Sequence, residues 1–464
     1  GHPSGDDQRS RSVSVPQRDN LASVFSEGRR VAQYAKRQLP NYQVFDERRY
    51  FVPGDESVVF EVHGVRVGLL ICEDAWFAQP AQDAKDAGAQ LLVVLNASPF
   101  HRGKSQERES AMQQRCIATG LPLVYAHLVG GQDEVVFEGR SFALQSDGQL
   151  AGRALAFAED AFDVRCEVVA SGLHLQATTS ELQDELSDVW HALVMGVRDY
   201  IGKNGFTSVA LGLSGGIDSA VVATLAVDAL GKDRVFGVSL PSKYSSEHSL
   251  SDAKSLASNL GIDYRVIEIE PVVQSFLKAT TLSGVAEENV QARVRGSLLM
   301  GLSNQEGHLI LATGNKSELA VGYSTLYGDA VGGFAPIKDI FKVDVWRLAR
   351  WRNGLAKTRG EVEPIPVSSI EKEPSAELRP GQKDSDSLPP YPILDQLLDI
   401  YVEKNGDAAE IIKAGFDKSL VDRVISMVDR AEYKRRQYPP GTKVSAIAFG
   451  KDRRLPMTSR WKES

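Results

Sequence analysis

Cysteine is scarce in this sequence, which contains Cys72, Cys116 and Cys166 among its 464 residues. Their odd number and irregular spacing match neither a disulfide framework nor a zinc-binding pattern, which favours a reducing compartment. The sequence also lacks a run of about 18 consecutive apolar residues, the length that a membrane-spanning helix needs. Residues 1–20 are polar and lack the apolar core of a secretory signal. These absences predict a cytoplasmic protein that does not engage a membrane.

Positive charge is also in deficit. The 53 Lys and Arg residues are outnumbered by 61 Asp and Glu residues, which gives a net charge of -8. Such a balance argues against nucleic acid as a partner, so the local basic run at 434–436 needs another explanation. The length exceeds the roughly 150 residues of one ordinary domain. We therefore predict two domains, at 1–172 and 178–464.

The first half alternates apolar runs with amphipathic stretches. We predict buried strands at 65–72, 91–96 and 123–129, helices at 81–87 and 106–119, and a hairpin at 141–153. Strands separated by helices indicate a sheet covered by helices.

A helix with one apolar face begins the second half. Apolar residues recur every three or four positions between 182 and 197. Ser180 and Gln183 have the spacing of a capping box, and Gly202 or Gly205 can end the helix.

Strands and helices then alternate along the chain. We predict strands at 208–213, 234–239, 263–269 and 308–313, and helices at 218–230, 246–260 and 289–304. This order is typical of a doubly wound α/β domain with a parallel sheet. The segment 361–392 is rich in Pro, Ser and charge, so we expect a loop that closes over a site rather than part of the core.

The hexapeptide SGGIDS at 214–219 joins a predicted strand to a predicted helix. Glycines let the backbone N–H groups approach an anion, and a helix N-terminus adds partial positive charge. The loop lacks the Lys of GxxxxGK[ST], and Asp218 stands where a phosphate would be repelled. A Mg²⁺ ion that bridges the carboxylate and the phosphates resolves this repulsion. The alternative is a glycine-rich turn capped by Ser and Asp.

SGGxDS after a strand resembles the pyrophosphatase loop of the N-type ATP pyrophosphatases, which activate a substrate by adenylation. Five further segments resemble the NAD⁺ synthetase family: ENVQARVRG at 288–296, ATGNKSE at 312–318, KDIFK at 338–342, PSAELRPGQ at 374–382 and YKRRQ at 433–437. The resemblance covers 180–464 and implies a domain of the adenine nucleotide α-hydrolase type.

The resemblance implies roles for matching residues. It assigns ATP contacts to Gly212, Leu213, Ser214, Gly215, Gly216, Ile217, Asp218, Ser219, Thr313, Lys342 and Ser375. It assigns deamido-NAD⁺ contacts to Asn289, Glu318 and Lys434, and Mg²⁺ ligands to Asp218 and Glu318. One departure is Leu326 before Tyr327-Gly328-Asp329, where ammonia-only relatives carry Lys, so no dinucleotide contact is carried over there.

The implied reaction has two steps. The nicotinate carboxylate of deamido-NAD⁺ attacks the α-phosphorus of ATP and releases pyrophosphate, and ammonia then attacks the acyl-adenylate and releases AMP. The protein contributes positioning and charge neutralisation. The resemblance also implies at least a homodimer.

Cys72 ends a predicted buried strand and precedes Glu73-Asp74. An inert buried thiol is the plain alternative. The segments KRQLPNY at 36–42 and VFDERRYF at 44–51 are similar to a nitrilase-type glutaminase, which implies an αββα sandwich. The resemblance makes Cys72 the nucleophile and Lys36 its partner, which would also lower the pKa of the thiol. It assigns L-glutamine contacts to Tyr42, Ser98 and Lys104.

The family's catalytic Glu precedes its Lys by a long stretch, whereas 35 residues precede Lys36 here. The acids in that stretch, Asp6, Asp7, Asp19 and Glu27, lack the family's Pro-Glu-x-x-x-x-Gly-Tyr setting, so no catalytic Glu is assigned. We expect a truncated glutaminase domain that hydrolyses glutamine poorly, beside a synthetase that uses free ammonia.

Two alternatives remain open. Another adenylating amidotransferase would share SGGxDS but not the loop at 374–382. A nucleotide-binding protein with a decayed glutaminase half would fit the missing Glu, although intact Asp218, Thr313, Glu318 and Lys342 argue against it. Pyrophosphate release that requires deamido-NAD⁺ would exclude both.

Overall fold

The computed structural model describes residues 18–170 and 172–458, so Asp6 and Asp7 lie outside the described residues. The strands of these ranges are β1 (Arg18–Asp19), β2 (Leu21–Ser26), β3 (Arg29–Ala35), β4 (Phe51–Val52), β5 (Val59–Val62), β6 (Val65–Ile71), β7 (Leu91–Asn96), β8 (Leu123–His127), β9 (Val129–Gln132), β10 (Val135–Glu138), β11 (Phe142–Leu144), β12 (Leu150–Arg153), β13 (Arg165–Val169), β14 (Gly172–Gln176), β15 (Val209–Gly212), β16 (Val235–Ser239), β17 (Asp263–Val266) and β18 (Leu309–Ile310).

The α-helices of the same ranges are α1 (Ala78–Asp86), α2 (Lys104–Thr119), α3 (Glu185–Lys203), α4 (Ile217–Leu230), α5 (Glu247–Leu260), α6 (Glu270–Ala279), α7 (Val285–Glu306), α8 (Lys316–Val321), α9 (Lys342–Thr358), α10 (Val367–Glu371), α11 (Tyr391–Leu398), α12 (Ala408–Lys413), α13 (Lys418–Arg430) and α14 (Glu432–Arg435). None of the described helices is long and apolar enough to cross a lipid bilayer.

The first half is built on a six-stranded sheet with the order β12-β11-β8-β7-β6-β5. Its central strands β6, β7 and β8 are parallel, as expected for strands joined by the helices α1 and α2. One face buries Leu92, Val94 and Leu123 together with Met112 of α2. The other face is partly covered by the β2–β3 hairpin through Ala22 and Tyr34.

The second half contains the parallel sheet β17-β16-β15-β18. Val209 and Leu211 of β15 belong to the core that includes α3, α4 and α9, whereas Ala210 belongs to the core that includes α6 and α7. Apolar residues on both faces are the mark of a sheet covered by helices on both sides. The prediction of a doubly wound domain is therefore confirmed. A separate helical core joins α8, α11 and α13.

The helix α3 begins later than its predicted capping box. Asp184 is the N-cap and accepts a hydrogen bond from the Ser187 N–H at 2.8 Å, while the Ser180 hydroxyl donates to the Ala154 carbonyl. The prediction that Ser180 caps this helix is wrong. Asp184 caps the helix instead of Ser180, because it lies directly before the first helical turn.

The segment 361–392 contributes apolar side chains to the core, contrary to the prediction from its composition. Ile365, Ile370 and Leu388 are buried, and the first two belong to the main core of the second half. The Ser369 hydroxyl donates to the Gly215 carbonyl at 3.1 Å, which ties this segment to the SGGIDS loop. Widely spaced apolar side chains are sufficient for burial even where the intervening residues are polar.

The two halves share packing and ion pairs. Phe100 and Val136 of the first half are buried in the main core of the second half. Arg140 forms a bidentate pair with Asp188 of α3 at 3.0 and 2.8 Å. Leu175, which lies between the two predicted domains, is buried against the first sheet.

Candidate active sites

Cys72 follows β6 at the carboxyl end of the first sheet. Its backbone adopts φ of 47°, a left-handed conformation that a residue with a Cβ adopts only under tertiary constraint. The thiol is buried and is near the Lys36 ammonium and the Ala97 N–H. Burial raises the pKa of Cys72, and Lys36 and the Ala97 N–H partly offset this effect. The resting group is therefore a thiol whose anion is stabilised from two directions.

Lys36 is almost fully buried and donates to Glu47 Oε1 at 2.6 Å. The other Glu47 oxygen is buried without a hydrogen-bond partner. Glu47 was not among the predicted site residues, since a carboxylate partner was expected only before Lys36. The described acids in that stretch, Asp19 and Glu27, are exposed. Glu47 lies in the segment 44–51, where the chain turns back toward Lys36.

Two of the three predicted glutamine contacts, Tyr42 and Lys104, lie beside the turn at Cys72–Trp76. The Tyr42 hydroxyl donates to Glu73 Oε1 at 2.7 Å, and burial together with this bond raises the pKa of Tyr42. Lys104 Nζ lies 4.3 Å from the centre of the Trp76 ring and donates to Glu107. The negative charges of Cys72 and Glu107 also contribute to the raised pKa of Tyr42. Tyr42 and Lys104 thus share the neighbourhood of Cys72.

Ser98 is buried, and its carbonyl oxygen lies 3.0 Å from Nε2 of His127. Ser98 lies just after β7, and the short segment 98–104 leads from it to Lys104, the first residue of α2. The structure therefore brings Ser98 to the carboxyl edge of the same sheet as Cys72.

The second site begins at the SGGIDS loop, between β15 and α4. Gly215 has φ of 76°, and a Cβ there would collide with the Ser249 backbone of α5. The Ser219 hydroxyl donates to the Gly216 carbonyl at 3.0 Å and lies 3.2 Å from the Ser214 hydroxyl. Glycine is therefore required at 215, and the loop presents its backbone at the N-terminus of a 14-residue helix.

Two acids and a lysine meet beside this loop. Buried Lys342 Nζ forms an ion pair with Asp218 and lies 3.5 Å from Glu318 Oε1. Asn315 Nδ2 donates to the other Asp218 oxygen at 3.0 Å, and Asn315 Oδ1 accepts the Glu318 N–H. Burial, opposed by Lys342 and reinforced by Asp218, raises the pKa of Glu318 to about 8. Two carboxylates thus share one lysine, and ionisation of the second carboxylate is disfavoured.

These residues fit a hard divalent cation. Oxygen ligands from carboxylates are what Mg²⁺ prefers, and nearby negative charge is what it relieves. Among the described residues, no three His, Cys, Asp or Glu side chains are grouped as metal ligands. Asp218 and Glu318 are the residues that would hold such an ion.

The remaining predicted residues contact other segments of the second half. Thr313 is half-buried after β18. The Ser375 hydroxyl donates to the Gln382 carbonyl at 2.6 Å and so shapes the PSAELRPGQ loop. Asn289 accepts from the Thr325 hydroxyl at 2.8 Å, and Lys434 donates to the Gly322 and Ser324 carbonyls, both at 2.7 Å. Asn289 and Lys434 are thus brought together by the segment 322–325.

Two family models match the chain. The carbon-nitrogen hydrolase model matches residues 19–169, and the NAD synthase model matches residues 189–438. The first range contains Lys36, Glu47 and Cys72, and the second contains the SGGIDS loop and Lys342. The fold and the two sites define an amide-forming enzyme that joins a nitrilase-like domain to an adenylating synthetase domain.

Known proteins support this class along nearly the whole chain. Glutamine-dependent NAD⁺ synthetases of Acinetobacter baylyi and Xylella fastidiosa are 44% and 46% identical over 96% of this chain and 82% of each relative. The structure of the Acinetobacter baumannii enzyme in complex with ADP has a TM-score of 0.74 at 40% identity, covering 97% of this chain and 83% of that one. The Cytophaga hutchinsonii enzyme, at 20% identity, a TM-score of 0.78 and coverage of 95% and 82%, bears on the fold alone.

The chain belongs to the glutamine-dependent NAD⁺ synthetase family. It is a ligase that forms a carbon–nitrogen bond, the ATP-dependent amidation of deamido-NAD⁺ with glutamine as the nitrogen source. The predictions of family, fold class and reaction are confirmed.

Proposed function

We propose that Cys72 and Lys36 form the glutaminase centre of this chain. The observation that carries this assignment is the buried Lys36–Glu47 pair beside a thiol held in a left-handed turn. The sulfur attacks the carboxamide carbon of glutamine, the carbon–nitrogen bond breaks, and the thiol proton ends on the departing ammonia. Water then hydrolyses the thioester to glutamate. Lys36, fixed by Glu47, stabilises the oxyanion of the tetrahedral intermediate.

Tyr42, Ser98 and Lys104 are the proposed contacts for the glutamine molecule. Lys104 carries the positive charge that an amino-acid carboxylate would meet, and Tyr42 and Glu73 offer an acceptor pair to an ammonium group. The contacts of Tyr42 and Lys104 with the turn at Cys72–Trp76, and the position of Ser98 just after β7, support this role.

ATP is the proposed occupant of the SGGIDS loop, with Thr313, Lys342 and Ser375 as further contacts. Deamido-NAD⁺ is proposed to meet Asn289, Glu318 and Lys434. Lys342 and the backbone N–H groups of the loop neutralise the phosphates while the nicotinate carboxylate is positioned for attack on the α-phosphorus. Mg²⁺, held by Asp218 and Glu318, would neutralise the charge of the departing pyrophosphate.

Several finer assignments belong to the same proposal. We propose domains at 1–172 and 178–464, a homodimer or higher homo-oligomer, and a cytoplasmic enzyme without nucleic-acid or membrane partners. The acidic net charge of -8 supports the exclusion of nucleic acid. The basic residues near Lys434 then have a dinucleotide phosphate as their proposed partner.

The test replaces Cys72 by Ala and compares NAD⁺ formation with glutamine and with ammonium salt at equal concentrations. We expect Cys72→Ala to lose glutamine-dependent synthesis, because the nucleophile is gone, and to keep ammonia-dependent synthesis. Cys166→Ala, which changes an exposed thiol, is the matched control. Retention of the glutamine-dependent rate in Cys72→Ala would overturn the assignment.

The same assay addresses the predicted preference for free ammonia. That preference is measured as the ratio of the two rates in the unchanged protein. A Lys342→Met variant should lose both rates, since both nitrogen sources need the same adenylation step. If Lys342→Met keeps synthesis with ammonia, the ATP site is assigned wrongly.

A further inference from the structure

Asp74 is completely buried two residues after Cys72. Its Oδ1 accepts the backbone N–H groups of Arg37 at 3.0 Å and Gln38 at 2.7 Å. Its Oδ2 accepts the Tyr34 hydroxyl at 2.8 Å and the Ile71 N–H at 3.1 Å. One carboxylate thus bonds to four donors from two separate parts of the chain.

The donors are distributed in a way that bears on catalysis. Tyr34, Arg37 and Gln38 flank Lys36, and Ile71 directly precedes Cys72. The segment that carries the ammonium and the turn that carries the thiol are therefore fastened to the same buried carboxylate. A shift of either segment would change the separation of Lys36 from Cys72.

Asp74 itself has no cation among its hydrogen-bond partners in the described residues, since three backbone N–H groups and one hydroxyl satisfy it. Burial raises its pKa, and the four hydrogen bonds oppose this effect. A buried carboxylate without a pairing cation is costly and persists only where its hydrogen bonds are needed.

We infer that Asp74 is a positioning residue of the glutaminase centre, which sets the distance between the Lys36 ammonium and the Cys72 sulfur. The inference rests on the proposed roles of Lys36 and Cys72. Asp74 acts through these two residues and is not assigned a contact with glutamine.

The replacement Asp74→Asn tests this role with almost no change of volume. Asn carries one acceptor and one donor end. If its NH₂ group takes the place of Oδ2, it opposes the Ile71 N–H. If the amide is flipped, the NH₂ group opposes the N–H groups of Arg37 and Gln38. Either orientation breaks the connection on one side and lets Lys36 move relative to Cys72.

The readout is the pH dependence of Cys72 alkylation by iodoacetamide in the full chain, measured by peptide mass spectrometry. Only the thiolate reacts, and Lys36 favours the thiolate. We expect Asp74→Asn to shift the profile of Cys72 to higher pH, with alkylation slowed about tenfold for each unit of pKa. Exposed Cys166 serves as the internal reference, and its alkylation should not change.

The matched control is Asp83→Asn. Asp83 pairs with the Arg37 side chain at 2.8 Å, so this variant also removes a carboxylate contact from the residue next to Lys36. It leaves the backbone connections of Asp74 intact and should alkylate like the unchanged protein. Ammonia-dependent NAD⁺ synthesis should persist in both variants, which shows that the synthetase half remains folded.

The outcomes separate the inference from the assignment on which it rests. Lys36→Met should shift the Cys72 profile in the same direction, and a failure to do so would contradict the Lys36–Cys72 pairing itself. A shift in Lys36→Met with no shift in Asp74→Asn would contradict the role of Asp74 alone. Faster alkylation in Asp74→Asn would show an opened pocket and a merely structural carboxylate, which also overturns the inference.

Discussion

At the scale of single residues, His127 shows how burial against the first sheet disfavours the charged form of a side chain. Its ring is buried, and Nδ1 and Nε2 lie 2.7 and 3.0 Å from the carbonyl oxygens of Gly139 and Ser98. Burial, reinforced by Arg108 and opposed by Glu138, lowers the pKa of His127 to about 4. The lowered pKa favours the neutral imidazole near pH 7.

The lowered pKa predicts acid sensitivity with a defined sign. Above about pH 6.5 His127 is neutral in both the folded and the unfolded chain, so it adds no pH dependence. As the pH falls from about 6.5 to about 4, the unfolded chain binds a proton that the folded chain does not, and stability decreases. At pH 5 the loss from this residue is about 2 kcal/mol.

The measurement is the free energy of unfolding in urea at pH 7.5 and pH 5, in the unchanged protein and in His127→Gln. The variant should lose less stability between the two pH values, whatever its stability at pH 7.5. An identical loss in both proteins would contradict the predicted neutrality of His127.

At the scale of elements, the segment 98–104 joins both halves of the molecule. Phe100 is buried in the main core of the second half, and its ring meets Phe157 edge-on at 5.6 Å. The Arg102 N–H donates to the Val444 carbonyl at 3.0 Å, and the Arg102 guanidinium pairs with Asp344. Asp344 lies in the first turn of α9, which begins at Lys342. The segment that carries Ser98 and Lys104 is thus held by the second half of the molecule.

We expect Phe100→Ala to cost about 3–5 kcal/mol, because it leaves a cavity in a shared core. Since the segment also orients Ser98 and Lys104, the KM for glutamine should rise while the KM for ammonia stays the same. Ile117→Ala, an exposed apolar position on α2, is the control. Equal changes in both KM values would show that Phe100 only stabilises the fold.

Sequence patterns predicted those elements whose signals are local. The strand β15 and helix α4 were predicted almost to the residue, because the glycine loop between them marks both ends. The burial of Ile365 and Ile370 was not predictable from a polar window, since it depends on contacts with distant helices. The Lys36–Glu47 pair depends in the same way on a tertiary turn, which chain order alone does not predict.

At the scale of the whole molecule, Glu134 lies between the two halves. It pairs with Lys338 at 3.0 Å and Lys451 at 3.2 Å, and its backbone carbonyl accepts the Lys443 N–H at 2.7 Å. Burial raises the pKa of Glu134, but the two lysines outweigh it and hold the pKa below its usual value. Lys338 is followed by Asp339, which pairs with Lys316 next to the Glu318 helix turn. Charged pairs therefore lie between the interface and the helix α8, which carries Glu318 of the proposed ATP site.

Glu134→Ala tests whether this interface couples glutamine hydrolysis to NAD⁺ synthesis. Removal of one partner leaves Lys338 and Lys451 close together without their counter-charge, which costs about 2 kcal/mol of interface stability. Looser contact should release ammonia to the solvent, so more glutamate should form for each NAD⁺ made. Both products are measured in one reaction with glutamine, with Glu167→Ala of the exposed β13 as the control. If the glutamate-to-NAD⁺ ratio is unchanged in Glu134→Ala, the ion pairs do not control the transfer, and apolar packing around Phe100 is sufficient to hold the two sites together.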